Sequence, residues 1–319
     1  MHGPDGDAGI LMPMSALARF AWGTLVLNVG VVLLGAFVRA TGSGAGCGRS
    51  WPTCDGQVIP AALEGARSIE FSHRAASGVA LLAVALLVVW VLRATPKGHA
   101  ARTAALWSGV AIVSESLIGA MLVLAQWVAD DTSAARTVAV PLHLVNTFVL
   151  LAALALTAWW LSLGRPAERS NDPALVRPLR LGAAGMLLIG ATGAITALAD
   201  TLFPAESLIE GLRQDVSGTA ELLGQLRVIH PVVAVVVGAY LAKVAWSRAA
   251  DTDRIWVQRF GLTVIAVVAT QLFAGIANVI LLTPIWMQLI HLLLADVLWV
   301  AFVLFGAAAL ERHVAPATV

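Results

Sequence analysis

The chain has 319 residues, of which 59% are hydrophobic and 12% charged, and its mean hydropathy is +0.85. This composition excludes an ordinary soluble domain, in which about 25% of residues are charged. The formal net charge of +1, without a basic patch, gives no indication of nucleic-acid binding. The chain is therefore predicted to be an integral membrane protein of the all-α class.

The first residues are interpreted as a tail, because residues 1–17 are too short and too weakly patterned to form a domain. The apolar run that follows is longer than the core of a signal peptide and lacks a basic leader, so it is interpreted as a retained span. A span needs about 20 apolar residues. Eight segments meet this requirement: 19–39, 70–92, 104–127, 138–163, 180–199, 226–246, 260–282 and 288–310.

The loops between these spans alternate in charge. The loops after spans two, four and six contain eleven lysines and arginines, whereas the other four loops contain four arginines beside nine acidic residues. Because positively charged loops stay on the cytoplasmic side, both termini are predicted to be cytoplasmic. The chain is thus predicted to be a multi-pass protein of the cell membrane.

The two halves of the sequence resemble each other. Aligning Ser114 in span three with Thr270 in span seven also places Glu115 on Gln271. Each half has an even number of spans, so the two copies have the same orientation in the membrane. We therefore predict two pseudo-symmetric four-helix bundles, with these boundaries: 1–17 N-terminal tail, 18–163 first bundle, 164–178 cytoplasmic linker, 179–312 second bundle and 313–319 C-terminal tail.

Four histidines form the main candidate site. His73, His143, His230 and His291 begin spans two, four, six and eight. All four spans enter from the outer side, so the four imidazoles are predicted to lie at a similar depth. Ionisable residues inside a membrane bundle usually mark a functional site.

The pattern around these histidines favours heme over other metal centres. A zinc or di-iron site in a bundle requires carboxylates or cysteines near the imidazoles, and only "EFSH" (70–73) has the Glu-x-x-His spacing. A heme needs one or two axial imidazoles and an apolar slot. Two hemes are therefore predicted, one per bundle, each between two histidines. A quinol-linked diheme cytochrome b would instead need paired histidines about four turns apart on one helix.

The two predicted heme sites differ in the residue three positions before the first histidine, which is Glu70 in one half and Arg227 in the other. Residues three apart share a helix face. Glu70 is therefore a candidate proton acceptor or stabiliser of positive charge, and Arg227 a candidate clamp for heme propionates. The alternatives are an ion pair of Glu70 with Arg74 or Arg67, and snorkelling of Arg227 to the headgroups.

Other polar residues support the spans or their loops. Glu115 is expected to form hydrogen bonds between helices, and Asp296 to be protonated or bonded to a neighbouring helix. Cys47 and Cys54 lie in the outer loop after span one, where thiols are oxidised, so a disulfide is expected. It is interpreted as a structural staple, with a redox or substrate-guarding role as the alternative. A short surface helix is predicted in the loop 200–225.

The segments "VRATGSGAGC", "WPTCDG", "IEFSHR", "PLHLVNT", "VIHP" and "QLIHLLLAD" together resemble the heme A synthase family, over about residues 20–310. Members of that family oxidise a ring methyl group of heme O to a formyl group, which gives heme A. The resemblance implies that His73 and His143 flank the substrate heme O and that Glu70 takes part in the reaction. It also implies that His230 and His291 ligate heme b, a redox cofactor.

The resemblance further implies a heme O synthase and a terminal oxidase as partners. It matches Cys47 and Cys54 to the cysteine pair that the family has in this loop. Many members have a second pair between spans five and six, where this chain has none. Two alternatives remain open: a heme-binding carrier or assembly factor that is not an enzyme, and a quinol-linked diheme cytochrome b.

Overall fold

The protein is described by a computed structural model that covers residues 14–163, 169–216 and 227–311. Eight of the helices in this part of the chain are long and apolar enough to cross a membrane, and α6 is short. The chain is therefore a multi-pass helical membrane protein. The helices are α1 (Ala16–Ala40), α2 (Gly65–Ala94), α3 (Ala100–Leu124), α4 (Ala134–Ser162), α5 (Pro173–Leu202), α6 (Leu208–Val216), α7 (Ile229–Ala249), α8 (Ile255–Ile280) and α9 (Ile285–Leu310).

Each of the eight predicted spans corresponds to one long helix, and α6 confirms a short helix within the loop predicted at 200–225. The largest difference in a boundary is at α5, which includes the second half of the predicted linker 164–178. The Asp172 side chain accepts the backbone N–H of Ala174 and caps this helix, and Pro173 occupies its first position. Both features favour helix initiation, so the proline and arginines that follow belong to α5.

The helices of each half form a closed ring of four. In the first half α1 packs on α2, α2 on α3, α3 on α4 and α4 on α1. In the second half α5, α7, α8 and α9 pack in the same cyclic order. Between the halves, α4 packs on α5 and α9, while α1 packs on α9 and α5. Exchanging the halves leaves this contact pattern unchanged, which is consistent with the predicted pseudo-symmetry.

The contact between the halves is tightly packed. The Phe148 ring in α4 stacks on the Trp299 ring in α9, with 5.5 Å between the centroids. The Trp299 Nε1–H donates to the carbonyl of Phe148, and Gly190 in α5 lets the Phe148 ring approach the backbone. Because lipid removes the hydrophobic drive for helix association, such close packing and hydrogen bonding stabilise the contact between the halves.

Candidate functional site

The four predicted ligand histidines lie on α2, α4, α7 and α9, and the imidazole of each packs against a glycine of a neighbouring helix. A methyl group added at that glycine would lie 2.9 to 4.0 Å from the imidazole Cε1. Three of the glycines are five residues before the last residue of their helix, which places these contacts at a common level. The contacts are Gly35 with His73, Gly119 with His143, Gly193 with His230 and Gly275 with His291.

The structure brings His230 and His291 together in the second half. Their ring centroids are 6.4 Å apart and the ring planes are nearly perpendicular, at 84°. The His230 Nδ1 lies 3.2 Å from the Thr192 hydroxyl, and the His291 Nε2 lies 3.3 Å from the Gln271 side-chain nitrogen. The His291 Nδ1 is buried and has no hydrogen-bond partner among the described residues.

This spacing fits a metal ion shared by the two imidazoles. With metal–nitrogen bonds of about 2 Å, and about 1 Å from each nitrogen to its ring centre, two such rings have centroids about 6 Å apart. The described residues include no group of three or more His, Cys, Asp or Glu side chains arranged around one point. Two imidazoles are the donor set of a bis-histidine heme, and apolar helices are the surroundings that such a heme needs. The residues present therefore fit that group.

In the first half, His73 on α2 packs against Gly35 of α1, and His143 on α4 packs against Gly119 of α3. The His73 Nδ1 is buried and forms no hydrogen bond to a side chain of the described residues. The His143 Nδ1 lies 3.2 Å from the Glu115 Oε1. Glu115 also accepts from the Asn146 amide and the Thr147 hydroxyl of α4, which confirms its predicted hydrogen bonds between helices.

Glu70 is buried, 3% exposed, and both of its carboxylate oxygens are engaged. One oxygen accepts the backbone N–H of Cys47 at 2.7 Å, and the other is ion-paired with Arg74. Arg74 in turn donates to the carbonyls of Ser50 and Thr53. Of the two predicted interpretations of Glu70, the structure contains the ion pair with Arg74. Glu70 and Arg74 together anchor the loop between α1 and α2 to α2.

That loop contains the expected disulfide between Cys47 and Cys54, and both cysteines are buried. The backbone at Gly46 lies directly against the first turn of α2, where even a methyl group would clash. Arg67, the other predicted partner of Glu70, pairs with Asp55 of the loop at 2.8 Å instead. The disulfide loop is therefore held against the helix that carries His73.

Arg227 forms an ion pair with Asp200 at 3.2 Å and donates to the carbonyl of Phe203. Both partners belong to the end of α5, so the side chain is turned toward that helix and only partly exposed. Snorkelling of this side chain to the headgroups stays an alternative prediction. Its predicted contact with a heme propionate stays a prediction.

Asp296 in α9 is fully buried. Neither of its carboxylate oxygens has a hydrogen-bond partner among the described residues, so the predicted bond to a neighbouring helix is not observed.

Two features of the site were missed by the sequence analysis. The first is the set of glycines against the histidines, although Gly35 and Gly193 are spaced almost as His73 and His230 are. The second is Arg39, which crosses from α1 to the second half and bonds Ala197, Thr201 and Gln288. For Arg39 the sequence carries only the signal of a charged residue at a span end.

The fold and the site define a polytopic helical membrane protein with one pair of imidazoles in each of two four-helix rings. The sequence profile of the family described as cytochrome oxidase assembly protein (COX15-CtaA) matches residues 18–303. The chain belongs to this family.

Several curated proteins are similar to the chain. It is 48% identical over 298 residues to a protein named protoheme IX farnesyltransferase from Thermus thermophilus, a match that covers 93% of this chain and 49% of the relative. The chain thus spans about half the length of that relative. It is 41% identical over 109 residues to the heme A synthase of Geobacillus kaustophilus, a match that covers 34% of each chain. The heme A synthase of Bacillus mycoides is 42% identical over 99 residues, covering 31% of this chain and 32% of the relative.

Proposed function

We propose that the chain is a heme A synthase, which oxidises the ring methyl group of heme O to a formyl group. The observation that carries this proposal is the pair of imidazole sites, one in each half, within a chain that belongs to the cytochrome oxidase assembly protein family. The partial matches to proteins named heme A synthase support it.

The conversion is a four-electron oxidation. The methyl carbon loses two of its three hydrogens and gains an oxygen, so methyl plus water gives formyl, four protons and four electrons. Dioxygen is the class of terminal oxidant that balances the step, because one O₂ takes up four electrons and four protons to give two waters. The sum is methyl plus O₂ giving formyl plus one water.

The roles of the histidines follow from the difference between the halves. His230 and His291 are proposed to hold heme b, which would supply one-electron transfer when bound, because two imidazole ligands would leave the iron no open position for a reactant. The 6.4 Å between the ring centroids supports this assignment. His73 and His143 are proposed to hold the substrate heme O in the first half.

Glu70 is proposed to act at the reacting periphery of the substrate, as a proton acceptor or a stabiliser of developing positive charge. It lies on the same face of α2 as His73, one turn away. Because the Glu70 carboxylate is buried, it would interact strongly with positive charge that develops nearby. Its ion pair with Arg74 and its bond to Cys47 would fix the carboxylate in place.

The membrane orientation is also proposed. Both termini are placed in the cytoplasm of a cell-membrane protein, so the imidazole sites lie toward the outer side. Heme O synthase and terminal oxidase assembly are the proposed partners. The name of the Thermus relative supports a link to heme O synthesis, since protoheme farnesylation is the kind of reaction that makes a farnesylated heme.

That same relative favours a second candidate function, in which this chain itself farnesylates protoheme. One experiment separates the two. Membranes that contain the chain are supplied either with heme O and air, or with protoheme and farnesyl diphosphate. The hemes are then extracted, separated by chromatography and identified by mass spectrometry. A formylated heme from heme O supports the proposal, whereas a farnesylated heme from protoheme supports the alternative. If neither heme is converted, the proposal is overturned, and a heme carrier is the remaining interpretation.

A further inference from the structure

At one pair of equivalent positions that touch a ligand histidine, the two imidazole sites differ in charge. In the first half Glu115 of α3 lies against His143, with Oε1 3.2 Å from Nδ1. In the second half Gln271 of α8, which aligns with Glu115, lies against His291, with its side-chain nitrogen 3.3 Å from Nε2. A carboxylate therefore faces one imidazole where a neutral amide faces the other.

The surroundings of Glu115 support the carboxylate. Asn146 donates its amide N–H to one carboxylate oxygen and Thr147 donates its hydroxyl to the other, both at 2.5 Å. Ser114 donates to the Asn146 carbonyl oxygen and extends the network by one residue. These two donors hold both carboxylate oxygens in place independently of the contact with the imidazole.

The second half lacks this network at the equivalent positions. Three and four residues after His143 come Asn146 and Thr147, whereas Leu294 and Ala295 follow His291 at the same distances. Two donors in the first half are thus replaced by two aliphatic side chains. A neutral amide needs no such support, and Gln271 donates to the His291 carbonyl instead, at 3.0 Å.

We infer that Glu115 is a positioning residue that orients His143 and makes it a stronger ligand than its counterpart His291. The inference depends on the proposed function only in assigning heme O to the first half and heme b to the second. A carboxylate that accepts Nδ1–H selects the tautomer in which Nε2 is the ligand nitrogen, and it raises the basicity of that nitrogen. Its negative charge also favours the more positively charged, oxidised iron. The first-half site is thereby biased toward oxidation and the second-half site toward easy reduction.

The contact between Nδ1 and Oε1 is at ion-pair distance, although it is not aligned as a hydrogen bond. The inference requires a rotation of the imidazole that aligns this contact. Gly119 leaves room beside the ring, since a methyl group added there would lie 4.0 Å from it, at ordinary contact distance.

The test exchanges the two residues. Glu115→Gln gives the first half the amide of the second, and Gln271→Glu gives the second half the carboxylate of the first. Purified protein with heme b in the second half and added heme O in the first is titrated electrochemically, and the midpoint potential of each heme is followed by its absorption spectrum.

We expect Glu115→Gln to shift the reduction equilibrium of the first-half heme at least tenfold toward the reduced form, which is about 59 mV for one electron. Gln271→Glu should shift the second-half heme at least tenfold toward the oxidised form. Glu115→Gln should also lower kcat for heme A formation without a matching change in KM. The second-half heme spectrum is the folding control for Glu115→Gln.

Midpoint potentials that stay unchanged in both variants overturn the inference, whatever happens to activity, because a purely structural role of Glu115 would not shift them. If Glu115→Gln does not fold, the potential of Gln271→Glu decides the question alone. A wild-type chain that forms no heme A while both potentials shift as expected overturns the proposed function and leaves the inference standing. A chain that binds no heme overturns both.

Discussion

The carboxylate of Glu70 accepts the backbone N–H of Cys47 at 2.7 Å, so the helix that carries His73 is joined directly to the disulfide loop. The same carboxylate pairs with Arg74, whose Nη1 donates to two carbonyls of the loop. Glu70 is therefore both a candidate for the reaction and a structural anchor. An alanine substitution alone does not separate these two roles.

Glu70→Ala should lower the free energy of unfolding by about 3 kcal/mol, because it leaves a buried guanidinium without its carboxylate. Glu70→Gln keeps an acceptor for the Cys47 amide and should be less destabilised, yet it should still lose formation of heme A. Thermal unfolding in detergent and chromatography of extracted hemes measure the two effects. Normal product formation by Glu70→Gln would remove Glu70 from the reaction, and an unchanged stability of Glu70→Ala would contradict its role as an anchor.

Opening the Cys47–Cys54 disulfide should lower stability by about 2–3 kcal/mol, the loop-closure value for a ring of about eight residues. The variant with both cysteines changed to serine, and wild-type protein treated with a reductant, should show the same fall in unfolding temperature. The double variant treated with reductant is the matched control and should show no further change. If the bridge is only a staple, the double variant keeps its heme spectrum below the unfolding temperature.

Gly35→Ala should displace the His73 imidazole, since the added methyl group would lie 2.9 Å from Cε1. Overpacking of this kind costs about 1–3 kcal/mol, and it should weaken binding of heme O in the first half. Gly30→Ala, in the same helix, is the control because nothing lies within 4 Å of its added methyl group. The two variants are compared by spectroscopic titration with heme O. Equal affinities in the two would show that the Gly35 contact does not shape the site.

Arg39→Ala should loosen the contact between the halves. The Arg39 guanidinium joins α1 to the carbonyl of Ala197 and to the side chains of Thr201 and Gln288, at 2.5 to 2.8 Å. Hydrogen bonds to a charged group contribute about 1.5–3 kcal/mol each, so a fall of at least about 2 kcal/mol is expected. Arg19→Ala is the control, because Arg19 is exposed and bonds only the nearby carbonyl of Met14 among the described residues. Equal unfolding temperatures in both variants would contradict the bridging role.

The helices of this chain could be predicted from the sequence because each span is a long apolar run, and the histidines because ionisable residues stand out in such runs. The helix start at Asp172 and Pro173 was missed, since arginines and prolines there are also typical of a loop. The Asp172 side chain, which caps the helix, was the clearer indication that α5 begins there. Because these residues were interpreted as a linker, the first turns of α5 were not predicted.

The contacts between helices could not be predicted in the same way. A single sequence does not say which helices are neighbours, so nothing in it assigned Gly193 to His230 or linked Arg39 to Gln288. The alignment of the halves did pair Glu115 with Gln271. It could not reveal that both residues touch a ligand histidine, because that depends on how α3 packs on α4 and α8 on α9.

The roles proposed for the two halves depend on one heme held between His230 and His291. The most direct measurement is the low-temperature EPR and absorption spectrum of the purified protein, with His230→Ala and His291→Ala as variants and His99→Ala as a control in the loop between α2 and α3. We expect a low-spin bis-imidazole signal that persists in His99→Ala and is lost in each of the other two. A signal that survives the loss of either His230 or His291 would contradict it.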